Sequence, residues 1–326
     1  MSILPWLQPH WQHLCDYSSQ NRVPQTLLIS GNKGLGKLQL ATQYAAALLC
    51  IEPQQNGLAC HHCNSCLLFK AQSHPDFIRL QPEEPGKTIT IGQIRQLISR
   101  LTLKPQFDKY RVIIVDPAEL MNNAAANAFL KYLEEPTERT VIILITEKPT
   151  RLLATIVSRC QKIVINQPDK FIINSWLNQH TNHDNVSLLL NLAQNSPLLA
   201  LNYAEEGTLN LRNDCFEAWM NISRHRSHPV MVAENWFKLS QAPLITWIIT
   251  WVIDLIKCRY SINADDLYNP DLKDQLQSLV GKIESKGLYK LYDLLLIRQR
   301  LLDTSINKQS LFEEILITWA DLNLRK

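Results

Sequence analysis

The chain has 326 residues, with 33 Lys+Arg against 30 Asp+Glu and a net charge of +3. That length exceeds what one hydrophobic core sustains, so two or three domains are expected. The small positive excess does not demand a nucleic-acid partner, though it leaves a local basic face open. Met1-Ser2-Ile3-Leu4-Pro5-Trp6 lacks a basic n-region, and the most apolar run, Leu244 to Ile253, ends at Asp254. It falls short of the roughly 20 residues of a membrane span, so a soluble, cytoplasmic protein is expected.

Leu27-Leu28-Ile29-Ser30 reads as a buried strand feeding Gly31-Asn32-Lys33-Gly34-Leu35-Gly36-Lys37, which matches the phosphate-binding pattern G-x-x-x-x-G-K. The glycines Gly31, Gly34 and Gly36 let backbone N–H groups turn inward onto phosphates, and Lys37 would reach the outer ones. The next residue should be Ser or Thr to hold Mg²⁺, and it is Leu38. The loop is therefore either a turn that binds nothing or a weak, non-productive ATP site. Gln39 to Leu49, rich in Ala and Leu, continues as its helix.

Cys50, Cys60, Cys63 and Cys66 follow as C-x9-C-x2-C-x2-C. Four thiols so spaced match the tetrahedral demand of a structural Zn²⁺, with no open position for catalysis. His61 and His62 are alternative ligands, disfavoured because four cysteines suffice. His74-Pro75-Asp76 comes next, and His74 reads as a turn or packing residue because no nucleophile stands beside it.

Phe77 to Leu80, Arg111 to Val115, Thr140 to Ile145 and Lys162 to Ile165 read as further strands. Ile94, Leu97, Ile98 and Leu101 place a helix over Ile91 to Leu101, and Ala124 to Leu133 makes another that stops before Pro136. The strand ending at Val115 is followed by Asp116-Pro117, so the position where related ATPases carry a water-activating Glu holds proline. Asp116 is left to cap the next helix, and Glu119 is expected to point elsewhere. Arg159, in Ser158-Arg159-Cys160, has two readings: a solvated or salt-bridged arginine, or an arginine finger reaching a neighbouring chain. After Asn166-Gln167-Pro168 the β signal disappears. The rest reads as amphipathic helices broken by loops at His228-Pro229 and Asn269-Pro270, with Leu311, Phe312, Ile315, Leu316 and Trp319 as a packing stripe.

The ordered set of P-loop, four-Cys insert, His-Pro-Asp, Asn127-Ala128-Phe129-Leu130-Lys131-Tyr132-Leu133-Glu134-Glu135-Pro136 and Ser158-Arg159-Cys160 resembles the delta-prime family of bacterial DNA polymerase III clamp-loader subunits. The motifs cover about the first 165 residues. The resemblance implies an α/β plus all-α fold: a RecA-like AAA+ domain with a zinc insert at 1–166, a helical lid at 167–207 and a helical collar at 208–326. It also implies a non-hydrolysing stator that supplies Arg159 in trans and belongs to a polymerase holoenzyme without being an enzyme itself. The implied partners are gamma and tau motor subunits, the clamp-opening delta subunit, the sliding clamp and primed DNA. Arg95 is a candidate for template phosphates, with an ordinary exposed helical arginine as the equal alternative. Two rival readings are a working motor-type ATPase that recruits Glu119 and a zinc-dependent nucleic-acid-binding module. Leu38 and Pro117 weigh against the first, and near-neutral charge against the second.

Overall fold

Five short strands form one parallel sheet: β1 (Thr26–Ser30), β2 (Phe77–Leu80), β3 (Arg111–Val115), β4 (Thr140–Thr146) and β5 (Gln161–Val164). The spatial order is β2-β3-β4-β1-β5, with Leu28 opposite Leu144 on one side and Lys162 on the other. β1, β3 and β4 are buried along their whole length, which a parallel sheet covered by crossover helices requires of its sequence. The computed structural model describes residues 3–324, except 85, 102–104, 108, 135–136, 182, 184, 240–242, 261–265 and 303–306. The predicted stop before Pro136 lies outside the described residues.

The first of two compact units runs from Met1 to Trp176. It carries α1 (Gln8–Ser19), α2 (Lys37–Leu49), α3 (Asn64–Lys70), α4 (Ile91–Leu101), α5 (Asn123–Glu134), α6 (Ala154–Val157) and the start of α7 (Lys170–His180). α2 packs on β1, β3 and β4. The alternate strand residues Leu28, Ile113, Val115, Ile142 and Leu144 join Ile94, Leu97, Phe129 and Ile156 of α4 to α6 in one core cluster. α4 starts with a reciprocal cap: the Thr90 N–H donates to Gln93 Oε1 at 3.0 Å, and the Gln93 N–H donates to Thr90 Oγ1 at 3.4 Å. Strand and helix positions match the sequence reading, with ends shifted by one or two residues. β5 ends at Val164, although Ile165 still donates its N–H to the Ser30 carbonyl at 2.8 Å.

The second unit, Leu177 to Lys326, is helical. α8 (Val186–Leu192), α9 (Pro197–Glu205), α10 (Thr208–Ser223) and α11 (Pro229–Phe237) are followed by α12 (Leu244–Arg259), α13 (Lys273–Val280), α14 (Ser285–Leu301) and α15 (Lys308–Leu324). The predicted stripe on α15 is buried throughout. Its Trp319 ring stacks on Trp219 at 3.8 Å, and its indole N–H donates to the Trp219 carbonyl at 3.0 Å. Pro229, expected in a loop, is the first residue of α11, where a missing N–H costs nothing and His228 caps the end. Arg212 is fully buried, donating to Asp271 at 2.8 Å and to Asn269 at 2.7 Å, and Asn269 donates in turn to Asp254 at 2.7 Å. No described helix is long and apolar enough to cross a membrane.

Candidate functional site

The P-loop follows β1, which lies between β4 and β5, so it opens at the carboxyl end of the sheet. Close approach dictates the first glycine, since a Cβ on Gly31 would sit 2.5 Å from the Ile165 carbonyl oxygen. Gly36 has φ +85° and ends the loop immediately before α2. The helix therefore starts at Lys37, two residues earlier than its apolar pattern indicates. Trp6 fastens the loop from outside, its indole N–H donating to the Leu35 carbonyl at 3.0 Å.

Lys37 is buried and turned back on its own loop, donating from Nζ to the Asn32 carbonyl at 2.7 Å, with Glu147 at 3.8 Å. Burial holds its ammonium below the ordinary lysine range, against the opposing pull of Glu147, Glu119 and Asp116. Two expectations are corrected here. Asp116 does not cap a helix: the short turn Ala118–Leu120 has Pro117 at its N-cap, and the Asp116 carboxylate accepts from Arg79 Nη2 at 3.1 Å. Burial raises the Asp116 carboxyl, and Arg79 opposes that rise. Glu119 does not point elsewhere, because its Oε1 accepts the Glu147 N–H at 3.0 Å, within electrostatic reach of Lys37. Its other carboxylate oxygen is buried without a hydrogen-bond partner among the described residues.

The cysteines assemble at the far end of α2. Cys50 caps its C-terminus and Cys63 caps the start of α3, accepting the Cys66 N–H at 3.5 Å. The four Sγ atoms lie within 4.8 Å of one another, with Cys50 to Cys63 at 4.0 Å and Cys60 to Cys66 at 3.8 Å. A tetrahedral zinc with Zn–S bonds of about 2.3 Å has S···S edges of about 3.8 Å, so the donor set fits that ion. Backbone N–H groups of Cys60 and Cys63 donate to the Cys50 and Cys60 sulfurs, each at 3.3 Å. Burial opposes ionisation of Cys63, but N–H groups of Cys66 and Ile51, together with the Cys66 and Cys60 thiols, outweigh it and bring the thiol down to about 6. Burial instead raises Cys50 and Cys66. His61 and His62 are exposed and stand outside the four-sulfur group.

His74-Pro75-Asp76 joins this insert to the sheet. Ser65, between two of the cysteines, donates to the Leu49 carbonyl at 2.7 Å and accepts from His74 Nε2 at 2.9 Å. His74 Nδ1 accepts the Asp76 N–H at 3.1 Å. The buried Asp76 carboxylate accepts N–H bonds from Gln106 and Phe107, both at 2.9 Å, and lies 3.5 Å from Arg111. His74 is thus a packing residue, in agreement with the sequence reading. Sequence gave no sign of its partner Ser65.

Arg159 lies between α6 and β5 with its side chain 37% exposed. Nη2 donates to Glu134 Oε1 at 2.7 Å, and Nη1 to the Thr155 carbonyl at 2.9 Å. Arg95 is exposed in the second turn of α4. Arg79, Glu134 and Trp6 were not singled out by sequence. Each acts through a partner 25 to 37 positions away, beyond any local pattern.

Fold and sites together define a P-loop α/β domain with an altered nucleotide site and a four-cysteine insert, continued by a helical part. Comparison with known proteins narrows the class. The family described as "DNA polymerase III, delta subunit" matches residues 7–169, and "DNA polymerase III, delta subunit, C terminal" matches residues 206–321. DNA polymerase III subunit delta' of Pseudomonas aeruginosa is 32% identical over 325 residues, covering 98% of each chain. Its Escherichia coli counterpart is 30% identical over 328 residues, covering 97% of this chain and 95% of the other. The Haemophilus influenzae subunit delta' is 32% identical over 265 residues, covering 81% and 80%. This chain belongs to the delta-prime family of DNA polymerase III, a family of clamp-loader subunits.

Proposed function

We propose that this chain is the non-hydrolysing stator of the clamp loader, lending Arg159 to ATP held by an adjacent motor subunit while its own P-loop performs no turnover. The observation that carries the reading is the ion pair between Arg79 and Asp116 at 3.1 Å. Mg²⁺ in a P-loop site is held by a hydroxyl after the lysine and by the carboxylate that ends the third strand. Here the first position is Leu38, and a guanidinium occupies the second. Lys37 spends one of its three N–H bonds on the Asn32 carbonyl at 2.7 Å and has Glu147 at 3.8 Å, so both compete with a phosphate for its charge.

In the assembled loader, Arg159 would place a fixed positive charge where charge develops during γ-phosphoryl transfer in the neighbour. Hydrolysis there releases the closed sliding clamp on primed DNA, with gamma or tau subunits as motors and delta as the clamp opener. Residues 1–166, 167–207 and 208–326 would act as AAA+ domain, lid and collar of this cytoplasmic assembly. Cys50, Cys60, Cys63 and Cys66 would hold a structural zinc that fastens the insert between α2 and α3. Arg95 would touch template phosphate.

The test uses loaders whose motor subunits carry Arg→Ala in their own Ser-Arg-Cys motifs, so that Arg159 serves the remaining finger-bearing site. Arg159→Ala should lower clamp- and DNA-stimulated ATP turnover at that site by about 10³–10⁵. An unchanged rate would remove the stator reading. Arg95→Ala should reduce the salt slope of DNA binding by about one, and an unaltered slope would leave Arg95 as an ordinary surface residue. One observation favours a second reading, a motor-type ATPase: Glu119 lies within electrostatic reach of Lys37 and keeps a buried oxygen without a partner among the described residues. Turnover by the isolated chain separates the two.

A further inference from the structure

The guanidinium of Arg159 is held at two points by its own chain, and one holder lies on a different element. Thr155, in α6, provides a carbonyl that accepts from Nη1 at 2.9 Å and also from the Ser158 hydroxyl at 3.1 Å. Glu134, the last residue of α5, accepts from Nη2 at 2.7 Å. One acceptor fixes a point of a planar group, whereas two on different nitrogens fix its plane. A guanidinium carries five N–H bonds in a rigid fork, so three remain for a ligand outside the chain.

Glu134 stands on firm footing. Its neighbours Tyr132 and Leu133 are buried, and the Tyr132 hydroxyl meets Thr137 Oγ1 at 2.8 Å. Thr137 Oγ1 in turn meets Oγ1 of Thr140, the first residue of β4, at 2.8 Å, which ties the end of α5 to the sheet. Across the pair, Cys160 is buried with its thiol donating to the Ile156 carbonyl at 3.1 Å. Both ends of the Glu134–Arg159 contact are therefore anchored in the core of the first unit.

We propose that Glu134 is the positioning residue for Arg159: its carboxylate sets the plane of the guanidinium so that the unused N–H groups face the neighbouring subunit's nucleotide. The proposal rests on the arginine-finger reading above. A half-exposed ion pair contributes little to stability, so a stability role alone gives this contact little consequence. Orientation has a larger one, because misplacing a catalytic group by about 1 Å can cost on the order of 10²-fold in rate.

The same loaders, with motor-subunit fingers removed, supply the test. Glu134→Ala should lower kcat at the Arg159-served site by about tenfold with KM for ATP unchanged, since the contact acts on the transition state and not on ground-state binding. Glu134→Gln still offers an acceptor oxygen and should keep most of the rate. In an Arg159→Ala background, Glu134→Ala should add nothing. A Glu134→Ala loader at full rate, beside a slow Arg159→Ala loader, would overturn the positioning role and leave the finger intact. A Glu134→Ala loss that persists without Arg159, or one that Gln does not rescue, would also overturn it. Full rate in Arg159→Ala would instead remove the finger reading itself.

Discussion

The two ends of α2 differ in what they have kept. At its N-terminus the P-loop retains its backbone shape, with Gly31 against Ile165 and Gly36 leading into the helix, but its charged groups are satisfied internally. Lys37 bonds the Asn32 carbonyl, Asp116 holds Arg79, and Leu38 offers no oxygen. At the C-terminus, Cys50 joins three other sulfurs, all within 4.8 Å of one another, and N–H groups point at them. The close approach of Gly31 to Ile165 and the left-handed turn at Gly36 hold the loop's shape whether or not a ligand is bound. The cysteines pack with Ala46 and Ala59 in a small core of their own, and what sets them apart is that their four sulfurs still converge as one donor set.

The largest expected effect comes from removing that set. Purified protein should carry about one zinc per chain. Stripping it, or changing Cys63 to Ser, should release the insert, because such sites contribute roughly 10–16 kcal/mol in small peptide models. Hydrogen exchange should then rise steeply over residues 51–63 while β1 and the P-loop stay protected. Metal analysis that finds no zinc in a folded sample would end the contrast between the two ends of α2.

A smaller effect sharpens the same comparison. Ser65→Ala leaves His74 Nε2 and the Leu49 carbonyl without their buried partner, at a cost of about 1–3 kcal/mol. Chemical denaturation should show the loss with zinc bound. No change in stability would mean that the metal alone fastens the insert. Smallest of all should be Leu38→Thr, which restores a hydroxyl to the P-loop while Arg79 still occupies Asp116. Nucleotide affinity by calorimetry should change by less than about tenfold, roughly the 1.4 kcal/mol of one modest polar contact, with no turnover. Vigorous hydrolysis by this variant would show that a single side chain had silenced the site.

Much of this was legible in the sequence where the signal is local. β3 and β4 announce themselves as β-branched runs and β1 as an apolar one, and the loop and cysteine spacings point to their chemistry. Local pattern failed at Asp116 and Glu119, because the course of the chain after Pro117 and the approach of Arg79 from β2 depend on strand pairing. Arg212 was illegible for the same reason: it sits in an amphipathic helix, and its partner Asp271 lies 59 positions away. Charged side chains at such positions look solvated until topology brings their counterparts. Glu134 belongs with them, being visible in a motif but not as the partner of Arg159.

The measurement that bears most directly on the whole account is ATP turnover by the isolated, zinc-loaded chain with Mg²⁺, following phosphate release and nucleotide binding on one sample. The account predicts no turnover and weak or absent binding. Robust Mg²⁺-dependent hydrolysis, abolished by Glu119→Gln, would contradict it and make this chain a motor subunit.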